Sequence, residues 1–304
     1  MFFSLLFRVL AFLLLFFSSD LLRVFTAISL LAFSQGLEAT ALLSTTAVYA
    51  EGLELSGTLF GLVLTLRMLP SVFSPVFTGF VADLYGFYSV FGLGAFFSVI
   101  ALICLLLSRI ELEKPGMEEG CQRKMLLEYV LIALSTFFLF ISVSSFIPLL
   151  TYWLTLELGF DLALVGFILS LRNVLGMFSR FYSGYIADKL GNVEELILVG
   201  IIRSISLLLL PLAGNPVQVA LLVMLHGSLM AAPSRSAFIA SLSSRERYGR
   251  AYGVVGFFQD LGSMVGPVVA GFLAEAAGFL AAFYFMTFSL MVYVALLLLL
   301  KKLV

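Results

Sequence analysis

Hydrophobic positions run along this chain in long blocks, not in short alternations. Nine blocks are long enough to cross a bilayer as helices, which takes about 20 apolar residues. They are 22–50, 57–82, 87–108, 129–154, 162–186, 196–213 (short, and open to extension back to Glu194), 217–242, 251–273 and 279–300. A tenth block, 2–17, is shorter and is interrupted by Arg8. Its readings are a signal sequence, a tilted span or a surface helix. The exit at Ser18-Ser19 is a poor cleavage site, so a retained helix is expected. One long polar stretch, 109–128, holds four basic and five acidic residues and the breaker Pro115-Gly116, and predicts a loop between two membrane bundles. The pattern predicts an all-α polytopic membrane protein with 9–10 transmembrane helices. Its expected parts are an extra N-terminal segment 1–21, a three-helix bundle 22–108, the loop 109–128, and a six-helix bundle 129–304.

Composition supports that pattern. Of 304 residues, 62% are apolar and 12% charged. Soluble domains are about half apolar and about a quarter charged. A chain of this length cannot bury such an excess from water, so its solvent is lipid. The net charge of −1 gives no footprint for nucleic acid. Cys104 and Cys121 have neither disulfide-framework nor metal spacing, and His226 is the only histidine. No metal, cofactor or nucleophile–base constellation is expected, and hence no enzyme.

The chain also repeats itself. GFVADLYG at Gly79 to Gly86 returns 105 residues later as GYIADKLG at Gly184 to Gly191. At that offset 11 of the 28 positions from 59 to 86 are identical, including Arg67 with Arg172. Shared leucines carry little weight in a membrane protein. A shared mid-helix arginine and a shared Gly-x-x-Ala-Asp-x-x-Gly carry more. Gly79 and Gly184 allow close helix approach. Asp83 and Asp188 place a carboxylate where the next helix begins. Gly86 and Gly191 permit a tight reversal. A plain helix–helix turn explains one such loop; two at matched places point to a coupled role.

On these residues the chain resembles the major facilitator superfamily of secondary transporters. That family has two six-helix halves, each with a loop G-x-x-x-D-R-x-G-R-R after its second helix. Gly184, Asp188, Lys189 and Gly191 fit its first eight positions, after which Asn192 and Val193 replace the basic pair. The copy with Gly79, Asp83 and Gly86 lacks the basic positions. A second match is the basic loop Arg245 to Gly253, followed by Gly262-x-x-x-Gly266-Pro267-x-x-x-Gly271. The family places these before and within its eleventh helix, where small faces and a proline favour tight packing and a bend. The resemblance covers roughly residues 22–300.

One departure stands out. The family has six spans between its two repeated loops, and here there are three. The resemblance therefore implies a shortened member whose first half lacks helices four to six. Positive residues mark the cytoplasmic side. Arg123 and Lys124, then Lys189, then Arg245, Arg247 and Arg250, then Lys301 and Lys302 lie two spans apart, while 155–161, 214–216 and 274–278 hold no Lys or Arg. The second half is thus oriented with both ends inside. Three crossings then put the 83–86 loop outside, where the resemblance requires it inside. That conflict is open at the level of sequence.

Ionisable groups deep in a span are costly and are functional candidates by default. Arg67 and Arg172 each lie 12 residues before a loop glycine, about 18 Å into the membrane, and are expected to face a shared interior. Glu38, beside Ser34, Gln35 and Thr40, is the expected partner of Arg67 or a proton carrier. Arg203 is mid-span. Asp260 is a proton-coupling candidate or a partner for the basic loop before it. His226 titrates near neutrality when unperturbed, though a lone helix histidine is more often a packing residue. Arg180 and Arg235 are expected to snorkel, and Tyr152 and Trp153 to anchor at the interface.

The resemblance implies transport of a small solute by alternating access between two bundles, driven by an ion or substrate gradient, in the plasma membrane. No nucleotide-binding GxxxxGK[ST] motif is present. Cavity candidates on the matching helices are Gln35, Glu38, Ser142, Ser144, Ser145, Tyr152 and His226, and Asp188 with Lys189 is the expected gate contact. Expected partners are a small solute, coupled protons and the lipid bilayer. A second copy or a partner chain would cover the incomplete bundle. The rival reading is a non-transporting truncated member or a membrane subunit that docks on a partner.

Overall fold

The computed structural model describes residues 2–17, 20–51, 55–107, 123–244 and 247–303. The central loop 109–122, with Cys121, and Arg245 lie outside the described residues, as does the side chain of Asp83 and the surroundings of Gly79. The described residues form helices α1 (Phe2–Phe16), α2 (Leu21–Ala50), α3 (Ser56–Tyr85), α4 (Phe87–Leu107), α5 (Arg123–Leu156), α6 (Leu162–Leu190), α7 (Asn192–Leu209), α8 (Pro216–Gly227), α9 (Ala231–Leu242), α10 (Tyr248–Ala277) and α11 (Phe279–Lys301). Eight spans are long and apolar enough to cross a membrane, with α8 and α9 counting together, and two shorter apolar helices are Phe2–Phe16 and Ser56–Pro70. The chain is a multi-pass membrane protein.

The helix ends follow local chemistry. Asp161 caps α6 by accepting from the Leu164 N–H at 2.9 Å. Asn215 caps α8 by accepting from the Gln218 N–H at 2.9 Å, with Pro216 at the first helical position. Both are side-chain acceptors placed where orphan donors begin. The turns α3–α4, α6–α7 and α10–α11 each consist of one glycine at positive φ: Gly86 (84°), Gly191 (107°) and Gly278 (83°). A side chain there would be strained, which is why a single residue can reverse the chain.

The helices divide into two units whose bounds differ from those expected. Unit 1 is Met1–Thr45 with Arg67–Met117; unit 2 is Thr46–Leu66 with Glu118–Val304. The N-terminal segment is therefore no appendage: α1 packs along α4 inside unit 1. Phe12 and Phe16 lie where side chains at Gly94 and Gly92 would stand. Ala11, Leu15 and Ala27 form a small buried cluster with Phe91 of α4 against it. Ser34 of α2 donates to the Ser4 carbonyl at 2.7 Å.

In unit 2, α5 packs most extensively on α10 and then on α11, and α11 packs on α7. Glycine makes the first contact possible. A Cβ at Gly262 or Gly266 would collide with the Phe137 or Ile141 carbonyl of α5. Gly271 has nothing within 4 Å, so it is no part of that packing face. The helix runs on through Pro267. Trp153 is also not an interface anchor: it is buried, edge-on to Phe283 at 5.3 Å, and donates to Glu157 at 2.9 Å. Tyr152 is exposed. At the other end Lys301 pairs with Glu194 at 3.1 Å, which sets the start of α7 beside the end of α11. Overpacking a close contact costs about 1–3 kcal/mol. Gly266→Leu is expected to lower the melting temperature in detergent, whereas Gly271→Leu leaves it unchanged; equal melting of the two would contradict the close approach.

Candidate functional site

Polar side chains of unit 2 surround a break in one span. The block 217–242, expected as one continuous helix, unwinds at Ser228–Met230 between α8 and α9. Pro233 lies in the first turn of α9, where a missing N–H costs nothing. Backbone groups freed inside a membrane need partners from neighbouring helices. Each has one here. Arg203 of α7 donates to the Leu229 carbonyl at 3.1 Å. Tyr182 of α6 donates to the Ser228 carbonyl. The Met230 N–H donates to Ser183 of α6 at 3.0 Å.

Around this break lie three of the four predicted intramembrane residues of the second half, all but Asp260. Arg172, Arg203 and His226 are all buried. His226 stacks on Phe146 with centroids 4.0 Å apart, and its Nδ1 is 3.1 Å from the Ser206 hydroxyl. The Arg172 guanidinium lies 5.4 Å from the same phenylalanine ring. Among the described residues, Arg172 Nε, Arg203 Nε and His226 Nε2 are buried without a hydrogen-bond partner. Of the cavity serines, Ser142 is likewise unpartnered, while Ser144 and Ser145 donate to the carbonyls four residues back.

Three residues here escape a reading of sequence. Glu195 is fully buried near Ser183 and Ser234, in the allowed extension of the 196–213 block and not among the ionisable candidates. Arg235 does not snorkel. Its guanidinium lies 5.0 Å from the Phe140 ring and donates to Gln259 at 2.9 Å. Arg180 bonds its own helix at the Gly176 carbonyl, 2.7 Å away. The apolar period of α7, carried one turn further back, was the signal that could have found Glu195. Asp260, by contrast, is exposed on α10 and no ion pair holds it among the described residues.

In unit 1, Glu38 is held between two arginines. Arg67 is 4.0 Å away, as expected, but the closer partner is Arg8 of α1. Arg67 and Arg172 differ in burial within their own units: the Arg67 side chain is 39% exposed, whereas Arg172 is buried. Gln35 is exposed.

The repeated turn resolves sharply at its second copy. Asp188 does not cap α7, the helix that follows it. One carboxylate oxygen accepts from the Gly57 N–H at 2.7 Å, and the other from the Thr58 N–H at 2.7 Å and the Thr58 hydroxyl at 2.6 Å. It thus caps the start of α3, where unpaired N–H groups and the helix dipole favour an anion. Gly184 lets the two helices come close enough, since a Cβ there would strike the Gly57 carbonyl. Lys189 lies 4.5 Å from the Tyr185 ring. Charge-assisted hydrogen bonds are worth about 1.5–3 kcal/mol each. Asp188→Asn is expected to destabilise the protein in detergent by about that amount and to speed proteolysis around residue 56. Thr58→Val, which removes one bond of three, is expected to do less; an unchanged melting curve for Asp188→Asn would refute the cap.

Comparison with known proteins agrees with this architecture. The model of the Major Facilitator Superfamily matches residues 132–303. The multi-drug resistance efflux pump PmrA of Streptococcus pneumoniae is 27% identical over 244 residues, covering 76% of this chain and 61% of that protein. The multidrug resistance protein MdtG of Dickeya zeae is 29% identical over 246 residues, covering 75% and 59%. The chain thus spans about three-fifths of the curated relatives it matches. The crystal structure of the transporter FucP in its outward conformation superposes with a TM-score of 0.77 at 14% identity, covering 98% of this chain and 82% of that one. With the family matched over more than half of its length, this chain belongs to the Major Facilitator Superfamily.

Proposed function

We propose that the chain is the larger part of a secondary transporter that moves small organic solutes across the membrane by alternating access. The observation that carries this reading is the break between α8 and α9. A discontinuous membrane helix whose freed backbone is held by side chains is the usual way such proteins build a flexible solute site near the bilayer centre. Arg172, Arg203, His226 and Phe146 give that site cations and an aromatic face. They suit a solute with an aromatic or anionic portion and an apolar remainder. The names of PmrA and MdtG support export of drug-like compounds as the direction. Gradient energy, with protons as the coupling ion, fits a chain without a phosphate-binding loop. Buried Glu195 and exposed Asp260 are the carboxylates to test as proton carriers. Asp188 and Lys189 are the proposed gate, since the bonds Asp188 makes to α3 would have to break if those helices separate.

The second reading is a membrane subunit without transport of its own. The exposed apolar faces of α1 and α2 favour it, with Phe3 66% and Phe33 57% exposed. Reconstituted proteoliposomes under an imposed proton gradient separate the two. Saturable flux of hydrophobic fluorescent dyes is expected. Arg203→Gln is expected to reduce it at least about tenfold, the loss of one charged hydrogen bond, with membrane insertion unchanged. Absence of flux from well-folded protein would overturn the transport reading.

A further inference from the structure

Helix α9 begins in the middle of a span. The break lies midway between Pro216, where α8 starts, and Leu242, where α9 ends. A helix start leaves its leading N–H groups without intrahelical acceptors, and in α9 these belong to Ala231 and Ala232. Met230, at the cap position, makes no side-chain bond to them, and Pro233 comes next with no N–H of its own. The positive end of a helix dipole therefore stands where lipid, not water, surrounds the protein.

Two arginines reach the same place. Arg203 of α7 holds the Leu229 carbonyl through Nη2 and lies 3.4 Å from the Met230 sulfur. Its Nε is buried and bonds nothing. Arg172 of α6 meets the break from the α8 side. Its Nε lies 3.8 Å from where a Cβ on Gly227 would stand, and it too has no partner. Arg203 is 4% exposed and Arg172 7%, so water does not answer either. The two are close enough to act on each other and on His226.

A guanidinium does not shed its proton. Two of them in an apolar interior are costly unless an anion accompanies them. Among the described residues no carboxylate pairs with Arg172 or Arg203. Glu195 lies within electrostatic reach of Arg203, yet its oxygens form no bond. Even a fully ionised Glu195 leaves one positive charge over, and Arg180 of α6 adds to the same field. His226 supplies no counter-charge. Ser206 donates its hydroxyl proton to the Arg203 carbonyl at 2.8 Å, so toward His226 it accepts, at 3.1 Å. That makes Nδ1 the protonated nitrogen of a neutral ring.

We propose that the start of α9, with Arg203 and Arg172, binds a monovalent anion: a chloride ion when no solute is present, and the carboxylate of an organic-anion solute in exchange for it. The donors are the leading N–H groups of α9 and the two unbonded Nε–H groups, the kind of set that holds anions at helix starts. Gly227 is part of the site, because a side chain there would displace Arg172. Arg203 joins the ion to the fold: one nitrogen holds the unwound backbone and another holds the anion. The second occupant rests on the reading of the break as a solute site; the ion does not.

Melting of the protein in nanodiscs is followed by intrinsic fluorescence while chloride replaces gluconate at constant pH and ionic strength. A saturable rise is expected, about 5 °C once chloride exceeds its dissociation constant roughly a hundredfold, and bromide is expected to act as chloride does. Arg203→Gln and Arg172→Gln are each expected to abolish the rise. Arg203→Lys, which keeps the charge without the planar donors, moves it to higher chloride. Because loss of a buried arginine can also unfold the chain, binding of radiolabelled chloride to the unaltered protein is measured by equilibrium dialysis, with about one ion per chain expected. Benzoate and its uncharged analogue benzamide separate the two occupants. Displacement of chloride by benzoate alone is expected; chloride retained against benzoate overturns the exchange. No saturable binding to the unaltered protein, or a melting rise that survives both glutamine variants, overturns the site itself. Dye flux without chloride binding leaves the transport reading standing, and chloride binding without flux does the reverse, so the two fail separately.

Discussion

A charged or polar group inside a bilayer must find its partner within the protein, because lipid offers none. Most of the internal order of this chain follows from that constraint. At the membrane surface Asp188 does likewise, binding three donors at the start of α3. Arg203, Tyr182 and Ser183 hold the backbone where α8 gives way to α9. Glu38 sits between Arg8 and Arg67. In each case a polar group on one helix fixes the position of another, so the polar contacts, few in number, act as the register marks of an otherwise apolar assembly.

Apolar packing supplies the remainder, and it depends on residues with little side chain. Helices in lipid gain nothing from hiding apolar surface, so they gain from close approach. Gly262 and Gly266 let α10 lie against the α5 backbone, and Gly57 and Gly184 do the same for α3 and α6. The glycines that matter are those facing a neighbour. Gly271, in the same motif, faces nothing.

Much of the fold was legible in the sequence. Block length alone located the spans, and the tight turns at Gly86, Gly191 and Gly278 matched glycines already marked as reversals or loop ends. Membership of the family rested on Gly184, Asp188 and the glycine–proline helix, and it holds. What stayed hidden was direction in space. A carboxylate at a helix junction reads as a cap for the next helix, yet Asp188 caps a helix 130 residues away in sequence. Hydropathy cannot see the α8–α9 break, because the stretch Pro216–Leu242 as a whole is apolar enough for one span. Arg235 and Glu195 sat at predicted span ends, where snorkelling and burial look alike until the neighbours are known.

The single-glycine joint at Gly191 has a mechanical consequence. Two long helices joined by one residue have almost no slack, so α6 cannot tilt without levering the start of α7. Glu195 is on that first turn, and Arg203, two turns further, grips the unwound segment. The elbow therefore acts as a crank: a small swing of α6 at the membrane surface is delivered as a displacement at the middle of the bilayer, with the distance between them spanned by one rigid arm.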